Sequence, residues 1–182
     1  MSLLNFFKAK KKGSERQLQL LREQNSEVNI SDDTIVKGAK LITIKKGSKI
    51  NRGVNLLVSQ SDEFSGAGKI CIGENCLISL DTKLFAGRGE IHIGDHVEIG
   101  MNCFISAQKR LQTRDLPATK DSVTTHVTKV GKRSMLSSGC FIVEGTTIGE
   151  RCIVAAGAVV SGQYGDDLLF VGNPARPLPN KE

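Results

Sequence analysis

Aliphatic residues recur at every sixth position over most of this 182-residue chain. The recurrence comes in blocks of three, and each of its fifteen positions holds Val, Ile or Leu. The positions are Ile44, Ile50, Leu56, Ile72, Ile78, Leu84, Ile93, Ile99, Ile105, Val130, Leu136, Ile142, Ile148, Val154 and Val160. A weaker, partial turn at Ile30 and Val36 precedes the series. Self-similarity at a fixed period indicates a repeat architecture rather than a helical bundle.

A second register of small or modest side chains lies four residues after the aliphatic positions. Its members are Ser48, Val54, Cys76, Thr82, Val97, Cys103, Ser134, Cys140, Thr146, Cys152 and Ala158. Because alternate residues of a strand share a face, these side chains point the same way as the next aliphatic residue. A short strand followed by a corner, repeated, predicts an all-β fold: a parallel β-helix of about five to six coils with three sides each.

The frame of six slips at three places, each time after the third hexad of a block. The slips lie between 56 and 72, between 84 and 93, and between 105 and 130. We therefore expect every extra segment to leave from the same edge of the prism. The last insertion is about nineteen residues longer than one hexad, and a loop of that length in a compact fold is usually functional or disordered. We interpret it as a functional loop over about 109–127.

The two ends differ from the repeat. We divide the chain into a leader with a short helix (1–27), the β-helix (28–163) and a C-terminal extension (164–182). Residues 15–24 read as a short amphipathic helix that caps the open first coil. Beyond Val160 the frame stops, and the prolines at 174, 177 and 179 are expected to forbid further strand pairing.

The leader places basic residues after apolar ones. Lys8, Lys10, Lys11 and Lys12 follow a stretch with four apolar residues in a chain of formal charge +6. Such a leader is compatible with weak contact with an anionic membrane surface or an acidic polymer, and the alternative is a frayed terminus. Four apolar residues are too few to span a bilayer, and a signal peptide has the opposite order. We predict a cytoplasmic protein, and without a basic–aromatic platform nucleic acid is not an expected partner.

The chain contains five cysteines and three histidines, the side chains best suited to metal binding or proton transfer. Four cysteines, at 76, 103, 140 and 152, fall in the small inward register and are predicted to be core thiols. No C-x-x-C pair occurs, so no metal site is predicted. His92 and His96 take outward or corner positions, whereas His126 lies where the long loop returns, which is a better place for a general base. Zinc held by histidines of neighbouring subunits stays an open alternative.

The region from Ile93 to Leu178 resembles the left-handed β-helix acyltransferases, especially the maltose, galactoside and polysaccharide O-acetyltransferase group. The matching stretches are IGDHVEIGMNCFIS, VGKRSMLSSGCFIVEGTTIGERCIVAAGAVVSG and FVGNPARPL. The resemblance implies a left-handed turn, a homotrimer, and acetyl-CoA in the groove between two prisms. It also implies acyl transfer to a hydroxyl of a sugar or glycan precursor.

Four cofactor-binding residues follow from the resemblance. Ser138 and Ala156 match positions whose backbone faces CoA, and Ser161 replaces a common Thr. Arg176, in GNPAR, matches a basic residue that can meet the nucleotide phosphates. The cationic residues at 110, 114 and 120 of the loop hint at an anionic acceptor.

The catalytic base departs from the family pattern. Family members usually carry a His soon after the inward residue that enters the loop, but Ser106–Arg110 contains none. Three possibilities stay open: His126 acts from the other root of the loop, His96 acts on a neighbouring face, or the protein binds CoA without catalysis. A zinc enzyme similar to the γ-type carbonic anhydrases is a further alternative. We assign the base to His126.

Overall fold

The computed structural model describes residues 3–59, 68–110 and 123–180. In chain order the elements are α1 Leu3–Gln24, β1 Asn29–Ile30, β2 Ile35–Lys37, a 3-10 turn Ala39–Leu41, β3 Ile42–Ile44, β4 Lys49–Ile50, β5 Asn55–Val58, β6 Lys69–Ile72, β7 Leu77–Ile78, β8 Lys83–Gly87, β9 Glu90–Ile93, β10 Glu98–Ile99, β11 Phe104–Ser106, β12 Gln108–Arg110, β13 Val123–Thr125, β14 Val127–Val130, β15 Met135–Leu136, β16 Phe141–Ile142, β17 Thr147–Ile148, β18 Ile153–Val154, β19 Val159–Val160, β20 Leu168–Val171 and β21 Arg176–Pro179.

Three sheets form the sides of a prism. Sheet A contains eight strands in the order β1-β4-β7-β10-β15-β18-β20-β21, sheet B six in the order β19-β16-β11-β8-β5-β2, and sheet C five in the order β17-β14-β9-β6-β3. Pairing between successive coils is parallel, as in β7, β10 and β15. Each coil passes through one strand of each sheet, so every backbone ladder runs along the prism.

The two inward registers are confirmed. All fifteen predicted aliphatic side chains are buried, with exposures between 0% and 4%. The eleven small residues are buried too, and several make hydrogen bonds between coils. Thr82 Oγ1 donates to the carbonyl of Gly100 at 2.7 Å and accepts the Cys103 N–H at 3.1 Å. The small polar side chains therefore form hydrogen bonds with backbone N–H and C=O groups at the corners, where the strand ladder is interrupted.

All three frame slips lie at one edge, as predicted. The segments 59–68, 88–89 and 107–126 each connect a strand of sheet B to the next strand of sheet C. We call this edge the loop edge. At the root of the long insertion, β12 and β13 pair as an antiparallel ribbon, with Gln108 opposite Thr125. Residues 111–122, which include two of the predicted acceptor-binding cations, lie outside the described residues.

The N-terminal helix is longer than predicted. It ends at Gln24 as expected but begins at Leu3, because the leader contains helix-compatible Leu, Phe, Ala and Lys and no proline. Its capping role is confirmed, since Leu18 and Leu21 are buried in the core. Asn25, just after the helix, accepts the Ile44 N–H at 2.9 Å. Contact of the leader with a membrane stays a prediction.

The prediction that strand pairing stops after Val160 was wrong. Strand β20 continues sheet A in parallel with β18, and β21 returns antiparallel to β20. Proline is tolerated in β21 because this outermost strand has a partner on one side only. Phe170 is fully buried and packs edge-on against Tyr164 with ring centroids 4.9 Å apart, which closes the end of the core.

The proposed division at 28 and 164 stays a prediction, although core residues come from all three segments. In the described ranges, no helix is long and apolar enough to cross a membrane.

Candidate active site

His126 lies on the loop edge, directly before β14. Its backbone is fixed in the prism, since its N–H donates to the Ala107 carbonyl and its own carbonyl accepts the Glu90 N–H, both at 2.9 Å. Its side chain is exposed, and Nε2 lies 3.3 Å from Thr124 Oγ1. The ring therefore combines a fixed anchor with access to solvent, as a general base needs.

The ring of His126 packs against Gly145 on the next coil. A methyl group placed on Gly145 would lie 3.2 Å from His126 Nδ1, and the residue has a φ of +78°. Both the left-handed backbone and the close approach favour glycine there.

Glu144 is a site residue that the sequence analysis missed. The register sets Lys129 opposite Thr147, and Glu144 directly precedes Gly145, which packs against the His126 ring. Its side chain is only 15% exposed, and its carboxylate lies 3.8 Å from Lys109 Nζ. The repeat length could have located it, because one coil takes 18 residues here. That spacing separates Lys129 from Thr147, and it equally separates His126 from Glu144.

Ser138 and Ala156 lie together on a different edge, between sheets A and B. Both are exposed at corners of consecutive coils, and the Gly157 N–H donates to the Ser138 carbonyl at 3.1 Å. Ser138 Oγ accepts the Met101 N–H at 3.2 Å. Ser138 also borders a shallow groove of about 270 Å³ on the outer face of sheet A. Its lining includes Ser79, Gly100, Met135 and Ser137.

The other two predicted cofactor residues are separated from each other. Arg176 is exposed at the start of β21, opposite Val171 and beyond Ala156 along the prism. Ser161 follows β19, so it lies at the loop edge, where its carbonyl accepts the Tyr164 hydroxyl at 2.7 Å. Within one chain, then, Ser138, Ala156 and Arg176 belong to one side of sheet B, and Ser161 and His126 to the other.

Sheet B separates the two halves of the predicted site. Each of its crossings from the A–B edge to the loop edge takes about six residues, which corresponds to roughly 20 Å of strand. Its outer face carries aromatic side chains that are only half-buried. Phe104 and Phe141 stack there with ring centroids 5.1 Å apart, and Phe85 and Val159 lie beside them. An apolar outer face next to two candidate half-sites is typical of an interface between subunits.

The four cysteines predicted to be inward are buried, with exposures of at most 2%. Burial raises the pKa of the Cys76 and Cys152 thiols, which keeps them protonated and unreactive. Cys71, which the sequence analysis did not place, is half-buried on the outer face of sheet C.

The remaining histidines lie away from His126. His92 is on the outer face of sheet C with Nε2 2.7 Å from Glu90, and His96 occupies a corner with a φ of +59°. In the part of the chain that the structure describes, no three His, Cys, Asp or Glu side chains could together hold a metal ion.

Known proteins share this fold and this repeat. Residues 128–162 match the family described as bacterial transferase hexapeptide (six repeats). The chain is a left-handed hexapeptide-repeat β-helix. Its structure superposes on AntD, an N-acyltransferase from Bacillus cereus in complex with dTDP and coenzyme A, with a TM-score of 0.74 and 21% identity over 91% of this chain and 89% of AntD. At this identity the likeness shows the fold alone.

Two curated relatives are acetyltransferases by name. The hexapeptide β-helix is 29% identical over 94 residues to the probable acetyltransferase Rv3034c of Mycobacterium tuberculosis, which covers 51% of this chain and 31% of the relative. It is 25% identical over 129 residues to the putative colanic acid biosynthesis acetyltransferase WcaF of Escherichia coli, covering 71% and 67% respectively. The chain thus spans about a third of the length of the first relative.

Proposed function

We propose that this hexapeptide β-helix is an acyltransferase that moves an acetyl group from acetyl-CoA to a hydroxyl of a sugar or glycan precursor. The names of the relatives support the reaction class, and the coenzyme A in the AntD complex supports the donor. We place the protein in the cytoplasm, where its five free thiols would stay reduced.

The observation that carries the proposal is the division of the site between two edges of sheet B. His126 and Ser161 lie at the loop edge, whereas Ser138, Ala156 and Arg176 lie on the opposite side. In a homotrimer, the A–B edge of one subunit meets the loop edge of the next, and the apolar face of sheet B is covered. A cyclic arrangement repeats this heterologous contact three times and closes.

The described residues fit the donor. Ser138, Ala156 and the small side chains of the sheet A groove leave the backbone accessible to an extended pantetheine chain. Arg176 offers an exposed guanidinium to the nucleotide phosphates, which guanidinium groups bind well. Bound acetyl-CoA supplies the acyl thioester.

His126 would act as the general base. Its Nε2 accepts the proton of the acceptor hydroxyl while the oxygen forms a bond to the acyl carbon and the carbon–sulfur bond breaks. The imidazolium then returns the proton to the thiolate that leaves. We propose that Glu144, which directly precedes Gly145, stabilises the positive charge between these two steps. Backbone N–H groups that line the groove between subunits would stabilise the oxyanion.

The substitution His126→Ala tests the assignment. We expect kcat/KM for acetyl transfer to fall by about 10²- to 10⁴-fold, the usual contribution of a general base, while acetyl-CoA binding is retained. The measurement is release of the CoA thiol with a panel of neutral, anionic and amino sugars. His96→Asn, which keeps a side chain that tolerates a positive φ, is the control and should keep the wild-type rate. An unchanged rate in His126→Ala would reject His126 as the base.

A second candidate function is a CoA-binding protein without turnover. It is favoured by the segment Ser106–Arg110, which has no His where family members usually carry the base. The same panel decides between the two, because this alternative predicts acetyl-CoA binding with no thiol release for any acceptor. A zinc enzyme would in addition require about one zinc ion per subunit in the purified protein.

A further inference from the structure

A groove of about 600 Å³ runs across the outer face of sheet C, within the range of small-ligand sites. We call it the basic groove, because four lysine side chains line it against two acidic ones. Its charged and polar lining includes Lys45, Lys69, His92, Asp95, Lys129 and Lys132. The proposed acyltransferase mechanism uses none of these side chains.

Two lysines of the basic groove, Lys69 and Lys129, make no salt bridge with a described carboxylate. The register aligns Cys71, His92 and Lys129 on consecutive coils, and Lys69 lies two residues before Cys71 on the same strand. Among the described residues, Lys69 and Lys129 form no ion pair. Glu90, the ladder partner of Lys69, lies 2.7 Å from His92 Nε2 through its carboxylate.

The other two lysines share a single carboxylate. Lys45 and Lys132 lie 3.7 Å and 3.6 Å from Asp95, whose side chain is 26% exposed. The N–H of Glu74, followed by the two lysines, lowers the pKa of Asp95, so this carboxylate is ionised. The second acidic residue of the lining, Glu150, lies 3.4 Å from Arg151, so four lysines face two paired carboxylates and the groove carries an excess of positive charge.

One lysine of the basic groove, Lys69, lies in the row of sheet C nearest to the loop edge, where His126 is found. Val127 follows His126 and pairs with Glu90, which in turn pairs with Lys69, so all three lie in one row at the end of sheet C next to the candidate base. Lys129 is the next outward residue of the same strand. An acceptor with its hydroxyl at His126 would lay its remaining part over Lys69 and Lys129.

We propose that the basic groove binds an oxyanion of the acceptor, a phosphate or carboxylate carried by the sugar, through Lys69 and Lys129. This inference rests on the proposed function and names the chemical class of its second substrate. A lysine ammonium acts as a point charge without the fixed fork of arginine, so either oxyanion suits it.

Cys71 provides a reporter that needs no catalysis. It lies in the groove and is half-buried, whereas the other four cysteines are at most 2% exposed, so a small maleimide should label Cys71 first in the native protein. The probes are glucose 1-phosphate, glucuronate and glucose. We expect one or both anions to slow labelling about tenfold at ten times the dissociation constant, and glucose to have no effect. Comparing the two anions distinguishes a phosphate from a carboxylate.

The double substitution Lys69→Gln and Lys129→Gln should abolish this protection. Lys49→Gln is the matched control, because Lys49 is an exposed strand lysine on sheet A, and it should retain the protection. Wild-type labelling that neither anion slows, or protection that persists in the double variant, would overturn the inference.

The outcome is separable from that of the proposed function. Lysine-dependent protection without acyl transfer would support the anion site and reject the enzyme. Acyl transfer to a sugar acceptor with the same KM in the double variant and the wild type would support the enzyme and reject the anion site.

Discussion

At the scale of single residues, the β-helix follows from which side chains point inward. The aliphatic positions and the small positions were predictable because alternation along a strand is a local property. Their chemical roles were less predictable. Ser134, chosen as a small filler, donates to the Gly149 carbonyl at 2.9 Å and accepts the Cys152 N–H at 3.0 Å. Those bonds join coils, so they depend on the stacking and not on the local sequence.

Leu136 and Met135 test the inward rule with adjacent residues. Leu136 is fully buried, whereas Met135 is 41% exposed on the outer face of the same strand. We expect Leu136→Ala to lower the free energy of unfolding by about 2–5 kcal/mol, because it leaves a cavity in a rigid core. Met135→Ala is the control and should stay within about 0.5 kcal/mol. Denaturant unfolding measures both, and equal losses would contradict the rule.

Part of the candidate site was also predictable at this scale. The return of the long loop placed His126 at an edge, and the structure confirms that location. Glu144 was missed because its coil lies against that of His126 only in the folded prism, 18 residues along the chain. Lys69 and Lys129 were missed for the same reason, since only the ladder of sheet C brings them to one face. The catalytic and cofactor roles of His126, Ser138, Ala156, Ser161 and Arg176 stay predictions.

At the scale of elements, the ends of the chain departed most from prediction. The six-residue pattern gives no information about helix α1 or about strands β20 and β21, because none of these three elements follows the six-residue period. Helix α1 closes the first coil, and β20 with β21 extends sheet A past the last one. Both additions cover open ends of the core, which would otherwise expose apolar side chains and unpaired strand edges.

An ion pair fixes the C-terminal closure. Arg151 binds both carboxylate oxygens of Asp167, at 2.7 Å and 2.8 Å, and the Asn180 N–H donates to the Asp167 carbonyl at 2.9 Å. Hydrogen bonds from Arg151 lower the pKa of the Asp167 carboxyl below its ordinary value. Because the folded-state pKa is depressed, the stabilisation is present above the unfolded-state pKa of about 3.9 and is lost as the pH falls through the folded value.

Asp167→Asn should therefore lower the Tm modestly at pH 7, and the difference from the wild type should vanish in acid, once the pH falls below the lowered pKa of Asp167 in the folded protein. Thermal unfolding followed across this pH range is the measurement. Asp33→Asn, an exposed carboxylate at the other end of the prism, is the control and should leave the Tm nearly unchanged at every pH. A difference that stays constant from neutral to acidic pH would contradict the role of the ion pair.

At the scale of the whole molecule, the proposed mechanism requires an active site formed by two neighbouring subunits. One prism carries the candidate base at the loop edge and the candidate CoA contacts across sheet B, roughly 20 Å away. The sequence located both edges through the frame slips and corners. It could not show that they are opposite edges of the same apolar face, because that follows from the folding of the coil. The pairing of the edges across subunits stays part of the proposal.

Mixed trimers test this claim most directly. The substitution His126→Ala removes the base, and Ala156→Trp blocks the groove at the opposite edge, so each variant alone should be inactive. If the site lies between subunits, co-expression in equal amounts places an intact loop edge against an intact A–B edge at about a quarter of the interfaces. Acetyl transfer should then recover to about a quarter of the wild-type rate. Activity no greater than that of the two parents would contradict an active site shared between subunits.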